Sequence, residues 1–254
     1  MQPQILFEDQ DMVVLNKPSG MTVNKADTTR GEETVQDWVE HNIQLQQPTG
    51  TILEKTETGD YNPVYEFKNR GGIVHRLDKE TSGILLVAKN PNSFAKLKEQ
   101  FMTRQIKKVY LALAHGEIVP QSGEINVPIG RLEFNRMRFG AVAGGREART
   151  LYQVLAVKQM INGKKKEKVS LVELYPQTGR THQIRVHLKH INRPIVSDEL
   201  YAGRKVARDD RKLLSRLFLH AKGISFIHPT TGKQIDFVAP LTPDLQGFLD
   251  NLQD

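Results

Sequence analysis

The stretch TLYQVLAVKQMINGKKKEKVSLVEL (residues 150–174) sets the fold class. Its two ends, TLYQVLAV (150–157) and VSLVEL (169–174), are short runs rich in β-branched and aliphatic residues. The piece between them, NGKKKEK (162–168), is turn-like and mostly lysine. Two strands joined this tightly have no room for the crossover that parallel pairing needs. They predict an antiparallel hairpin with a basic tip.

The same reading extends outward. Met12–Leu15, Gly83–Ala88 and Val109–Ala114 are apolar runs of strand length, and late strands are expected at 222–227 and 234–238. Helical spacing appears over 32–43, through Val35, Trp38, Val39 and Ile43. It recurs from Pro91 to about Arg104, through Phe94, Leu97 and Phe101, and a closing helix fits 242–252. Residues 44–70 are polar, carry Pro48, Gly50, Gly59 and Pro63, and read as a long loop. Strands outnumber helices and several neighbours are tightly joined. The expected class is therefore α+β, built on a mixed, largely antiparallel sheet, in one domain over 1–254.

Composition narrows the function. Of 254 residues, 38% are hydrophobic and 26% charged, enough for a folded core. Lysine and arginine total 36 against 29 acids, a net charge of +7, with a pI near 9.5. That balance favours a polyanionic partner. Cysteine is absent, which excludes disulfides, thiolate metal sites and cysteine nucleophiles. The first residues lack the basic start and apolar run of a secretory signal, and no stretch approaches the ~20 apolar residues of a membrane span. A cytoplasmic, monomeric protein without membrane attachment is expected.

Two segments concentrate reactive side chains. In GGIVHRLDKETSGILLVAKN (71–90), His75, Arg76, Asp78, Lys79 and Glu80 crowd a loop that precedes an apolar strand. A carboxylate there can face a cleft, although aspartate followed by small hydroxyl residues and glycine is also ordinary turn chemistry. The second is LYPQTGRTHQIRVHLKHINRPIVSDELYAG (174–203). Ile184, Val186 and Leu188 alternate like a strand, yet Ile184, Leu188 and Ile191 fit one helical face; Thr178 or Thr181 could cap such a helix and Pro194 would end it, which favours the helix. Arg180, Arg185, His182, His187 and His190 form a basic cluster. The histidines lack the i, i+4 pairing of a zinc helix, so no metal is expected. Tyr110, in IKKVYLALAHGEI (106–118), reads alone as a packed strand tyrosine. Nucleotide-binding glycine loops, a nucleophile elbow and a second carboxylate opposed to Asp78 are all missing.

Taken together these segments resemble the RluA-type family of pseudouridine synthases. The resemblance rests on LNKPSGM (15–21), HRLDKETSG (75–83), KKVYLALAHGE (107–117), PQTGRTHQIRVHL (176–188), SDELYAG (197–203) and LHAKGISFIHPTTGK (219–233), in that order. It implies a mixed sheet in two halves with an RNA cleft between them. It implies Asp78 as catalytic carboxylate, Arg185 as its basic partner and Tyr110 as an active-site tyrosine. Arg76 would fill the gap left by an extruded base, and Ile184 would pack beside the site. His75 and Arg180 join them as RNA contacts. Many members carry a small RNA-binding domain at the N-terminus, whereas this chain is read as starting directly in the catalytic part.

The reaction implied breaks the bond between nitrogen 1 and the ribose, turns the base and rejoins it through carbon 5. No electrons are gained or lost, so no cofactor is expected. The partner would be structured RNA, tRNA or rRNA. Flipping the base costs a few kcal/mol. Phosphate contacts are expected from Arg131, Arg136 and Arg138, from the 164–168 turn, and from Arg204, Lys205, Arg208, Arg211 and Lys212. The competing reading is a catalytically silent RNA-binding or assembly protein of the same fold. An intact Asp78, Tyr110 and Arg185 set argues against it.

Overall fold

A computed structural model describes residues 2–26, 29, 31–46, 48, 62–132, 135–163 and 165–253. The chain divides into two compact units, Met1–Ile106 with Gly223–Ala239, and Lys107–Lys222 with Pro240–Asp254.

In the first unit, β1 (Gln4–Glu8), β2 (Met12–Lys17) and β3 (Ser82–Ala88) pair antiparallel in that order. All seven residues of β3 are buried, which accounts for the apolar run from Gly83 to Ala88 within it. Helix α1 (Val35–Asn42) opens on a capping box: Thr34 and Asp37 satisfy each other's backbone N–H groups. Helix α2 (Pro63–Asn69) is capped by Asn62 and begins on proline. It lies inside the stretch read as a long loop, of which residues 49–61 fall outside the described residues. With one buried side chain, Phe67, it carries too little apolar periodicity to be seen. Helix α3 (Pro91–Met102) is capped by Asn90 and buries Phe94 and Leu97. Met12, Val14, Ile84, Leu86, Phe67, Phe94, Leu97 and Phe226 form one core.

The second unit contains β4 (Lys107–His115), β5 (Ser122–Asn126), β8 (Arg149–Asn162) and β9 (Lys165–Pro176). They pair antiparallel in the order β4-β9-β8-β5. The β8–β9 hairpin is the one expected, but it is longer. Pairing runs from Thr150↔Pro176 out to Asn162↔Lys165. Gly163, just past the last pair, has a left-handed φ of 61°, and Asn162 and Lys165–Lys168 of NGKKKEK are strand. Residues 165–168 are all lysine but the single glutamate Glu167, a charged run that hides the strand from a hydrophobicity reading. A separate pair, β6 (Ile129–Leu132) and β7 (Asn135–Ala141), stands beside this sheet in sequence.

Helix α4 (Gln183–His190) falls where Ile184 and Leu188 place it. It is not capped by Thr178 or Thr181. The N-cap is His182, in the left-handed region at φ 56°, with no side-chain cap. The amide of Gln183 instead reaches back: its Oε1 accepts from Thr178 Oγ1 at 2.7 Å and from Arg180 N–H at 3.0 Å. Helix α5 (Arg204–Asp210) was not foreseen, because its basic sequence reads as exposed surface. Strand β10 (Leu219–Ile227) runs from the second unit into the first, where Gly223–Ile227 pair with β11 (Gln234–Val238). Helix α6 (Pro243–Asp250) closes the chain as expected. The sheets are antiparallel wherever register is defined, in agreement with the expected α+β class. Among the described residues no helix is long and apolar enough to cross a membrane.

Candidate active site

Asp78 lies on the loop between Ile73 and β3, half-buried, between buried Leu77 and exposed Lys79. Its carbonyl accepts from Thr81 N–H at 3.1 Å, so the turn reading of this segment is correct. A turn residue is not thereby idle, because a turn fixes where its side chain points.

What holds that turn is a residue with no role in the sequence reading. Lys17, at the end of β2, is fully buried. Its ammonium donates to the carbonyls of Pro18 at 2.7 Å, Met21 at 2.8 Å and Lys79 at 3.0 Å. Gly20 N–H and Ser19 Oγ add bonds to the carbonyls of Lys79 (2.8 Å) and Glu80 (2.7 Å). The segment KPSG is thus a clamp on the two residues after Asp78. Burying an ammonium is costly unless its hydrogens are satisfied, and three converging carbonyls do so.

The flank before Asp78 is fixed separately. His75 Nε2 accepts from Leu86 N–H at 3.0 Å, which puts any proton of a neutral ring on Nδ1. The ring lies 4.7 Å from that of Phe101. His75 therefore braces β3. Arg76 is exposed.

In the second unit Arg185 lies on α4 and is 6% exposed. Its Nε and Nη2 donate to the two oxygens of Asp198, each at 2.8 Å. Asp198, fully buried, also accepts from the N–H groups of Leu200 (3.0 Å) and Tyr201 (3.1 Å) through Oδ1. The guanidinium stacks over the Tyr201 ring at 5.1 Å. The Tyr201 hydroxyl accepts from Phe139 N–H at 3.2 Å and bonds His182 Nδ1 at 2.9 Å. A buried, bidentate pair sets both the position and the plane of Arg185. Neither Asp198 nor Tyr201 was singled out beforehand. The only signal was their presence in SDELYAG.

Ile184, 6% exposed, packs in the core of the second unit, with half-buried Tyr110 against the same core. Tyr110 stands opposite Leu174 on β9. Arg180 Nε donates to the Glu147 carbonyl at 3.0 Å. Of the histidines, His187 is fully buried, with Nδ1 bonded to Thr150 Oγ1 at 2.9 Å. Burial pushes its ring down to about 4, so it is neutral near pH 7 and serves the core. Lys164 and the side chain of Arg136 lie outside the described residues. Arg211 and Lys212 are paired with Glu199 (2.9 Å) and Asp209 (2.8 Å), which reduces what they offer to phosphate.

Among the described residues, one group of metal-ligating atoms comes together, Asp9, Asp11 and His228, within 4.8 Å. Its atoms are already committed. His228 Nδ1 accepts from the N–H groups of Thr230 (3.2 Å) and Thr231 (3.1 Å), and Nε2 meets Asp9 Oδ2 at 2.8 Å. Asp9 Oδ1 accepts from the N–H groups of Asp11 and Met12. Asp11 accepts from Asn90 and Ser93. The arrangement suits a hydrogen-bonded corner and does not suit an open coordination site.

The family model described as RNA pseudouridylate synthase matches residues 11–190. The chain belongs to this family. It is 36% identical over 251 residues to an RNA pseudouridine synthase of Mycoplasma genitalium, covering 98% of this chain and 70% of the relative. It is 36% identical over 256 residues to ribosomal large subunit pseudouridine synthase D of Neisseria meningitidis, covering 98% of this chain and 61% of that relative. This chain thus spans some two thirds of the length of the curated relatives it matches. Among solved structures, human RNA pseudouridylate synthase domain containing 1 superposes with a TM-score of 0.71 over 99% of this chain and 88% of that one, at 24% identity. That likeness establishes the RNA pseudouridylate synthase fold.

Proposed function

We propose that this member of the RNA pseudouridylate synthase family isomerises specific uridines of a structured RNA, ribosomal or transfer RNA, with Asp78 as the catalytic carboxylate. The observation that carries the reading is the clamp on the Asp78 turn. A buried lysine and three converging carbonyls are a large commitment for an ordinary surface loop. They make sense where one side chain must be held still while a reaction runs.

In this reading the Asp78 carboxylate either attacks the ribose or stabilises it while electron-poor. Arg185 and Tyr110 act with it in the chemical step. Arg185 is suited to that by the Asp198 grip, which limits the rotamer freedom the guanidinium would otherwise lose on binding. Arg76, exposed beside Asp78, fills the space of the flipped base. Arg180 and His75 lie along the RNA path, and Ile184 gives the site an apolar wall. The ribosomal target of the Neisseria relative favours rRNA.

The test is direct. RNA from cells lacking the gene is incubated with the purified protein and its pseudouridines are mapped. Wild type should restore a discrete set of positions, and Asp78→Asn should restore none while still binding RNA. Full activity of Asp78→Asn would remove the assignment. RNA binding by wild type with no pseudouridine formed would favour the silent binding protein.

A further inference from the structure

Two basic segments that are distant in sequence, the tip of the β8–β9 hairpin and helix α5, meet within the second unit. Asn162, at the tip, donates through Nδ2 to the Asp209 carbonyl of α5 at 2.9 Å. Between the two lies a cavity of about 490 Å³, with Lys165 and Glu167 on the hairpin side and Lys205, Asp209 and Lys212 on the other. Among the described residues, none that line it is aromatic.

The floor of this cavity is balanced in charge. His115, buried on β4, sets its Nδ1 3.0 Å from Glu167 Oε1 and its Nε2 2.9 Å from Asp210 Oδ2. A neutral imidazole has one N–H and would aim a lone pair at one of these oxygens. A carboxylate at each nitrogen therefore holds the ring as an imidazolium. Lys165 Nζ meets the other oxygen of Glu167 at 2.5 Å. Glu167 and Asp210 are thus matched by Lys165 and His115, and no negative excess is left to repel an anion.

The rim is cationic. Lys205 lines the cavity and Arg204 adjoins it; both are exposed, and neither has an ion-pair partner among the described residues. Arg208 falls one turn after Arg204 on the same helix face. Its side chain is 69% exposed, and its contact with Asp209 is a long 3.5 Å. Lys212 is paired with Asp209 but stays 64% exposed. Within residues 204–212 the acid outside the balanced floor is Asp209. Such a rim suits a chain of phosphates. Single strands are held by stacking bases on aromatic side chains, which this cavity lacks. A duplex is held through its backbone and shape.

We propose that α5 and the hairpin tip form a docking surface for the phosphate backbone of an RNA duplex that flanks the modified uridine; this rests on the pseudouridine synthase reading. The surface lies wholly in the second unit, and it adds affinity without reading bases.

The experiment uses the full chain, a labelled RNA duplex of about 16 base pairs and a single strand of uridines, titrated by fluorescence anisotropy across about 50–200 mM KCl. Lys205→Glu combined with Arg208→Glu changes two exposed side chains, so the fold should hold. This variant should bind the duplex ~10-fold more weakly at low salt. The slope of log affinity against log salt should shrink by about two, one for each lost phosphate contact. Lys68→Glu combined with Lys233→Glu makes the same charge change on exposed residues of the first unit, and it should leave affinity and slope as in wild type. An equal loss there would show net charge at work, and the proposal fails. It fails too if the α5 variant keeps the wild-type affinity and slope, or if it loses single-strand binding as much as duplex binding. Wild type that forms no pseudouridine in RNA from a strain lacking the gene would sink the enzymatic reading, and substrate docking with it. Active wild type whose duplex affinity the α5 variant leaves unchanged would sink this inference alone.

Discussion

Arg185 and Asp198 meet edge to edge, with two parallel N–H···O bonds of 2.8 Å in a site closed to solvent. Among the described residues Asp198 accepts four hydrogen bonds, the other two from the backbone of Leu200 and Tyr201. The carboxylate therefore joins α4 to the SDELYAG turn, and it holds Arg185 from behind. Breaking such a pair by removing one partner costs more than the pair contributes, because the other charge is left buried. Asp198→Ala should lower stability by about 3–5 kcal/mol. Asp198→Asn should do nearly as badly, since one amide oxygen cannot serve four donors. Urea denaturation of the two variants checks this. A wild-type midpoint for Asp198→Asn would show that shape, not charge, holds the site.

The clamp on the Asp78 turn makes a second prediction. Lys17→Met removes three bonds from an ammonium donor, a class of bond whose net contribution is about 1.5–3 kcal/mol each. It strands the carbonyls of Pro18, Met21 and Lys79. Thermal stability and pseudouridine formation should both fall. Lys17→Arg should not rescue either, because a planar fork cannot aim three hydrogens at acceptors that converge on one atom. Recovery of activity by arginine would show that the clamp needs only positive charge.

Much of this architecture was legible in advance, and the failures share a cause. The β8–β9 hairpin and α4 carry apolar residues at their proper periods, through Val154, Val172 and Ile184, so they were found. Helix α2 presents only Phe67 to a core, and a pattern needs more than one point. Asp78, Tyr110 and Arg185 came from motif resemblance, since each type alone is common on surfaces. Lys17 and Asp198 were missed because both act through contacts that local sequence does not encode. Lys17 bonds a carbonyl 62 positions away, and Asp198 grips a side chain 13 positions before it. A fully buried lysine has the same letter as an exposed one.

His187 gives stability an acid limb. Burial holds its folded value at about 4 against the ordinary 6.5. Between those values the unfolded chain takes up a proton that the folded chain refuses. Stability should therefore fall as pH drops from 6.5 to 4 and level off below, by about 3 kcal/mol for this group. His115 works with the opposite sign. Burial lowers its pKa, but the bond and charge of Asp210, and then Glu167, outweigh this and raise it. Its contribution is complete below 6.5 and fades as pH rises through the folded value. Urea denaturation of wild type and His187→Gln at pH 7 and 4.5 separates the two. The variant should lose less stability on acidification, and an equal loss would exclude His187 as the source.

Gly71 and Gly72 precede the Asp78 loop, and they should respond differently to the same substitution. Both have positive φ, 56° and 74°, a region in which a side chain costs roughly 1–2 kcal/mol. A Cβ on Gly71 would meet the Gln36 and Glu40 side chains at 3.1–3.4 Å, and these can shift. A Cβ on Gly72 would lie 2.1 Å from the Ala88 carbonyl oxygen. That oxygen belongs to β3, whose Ala88 N–H already bonds Gly72 O at 2.8 Å, so the backbone cannot retreat without losing the bond. Gly71→Ala should cost about 1–2 kcal/mol, the strain alone. Gly72→Ala should exceed ~4 kcal/mol, the range reserved for such clashes. It should also remove activity, because the loop bearing Asp78 starts from that contact. Comparable melting temperatures for the two variants would mean that β3 and the Gly72 turn do not approach each other this closely.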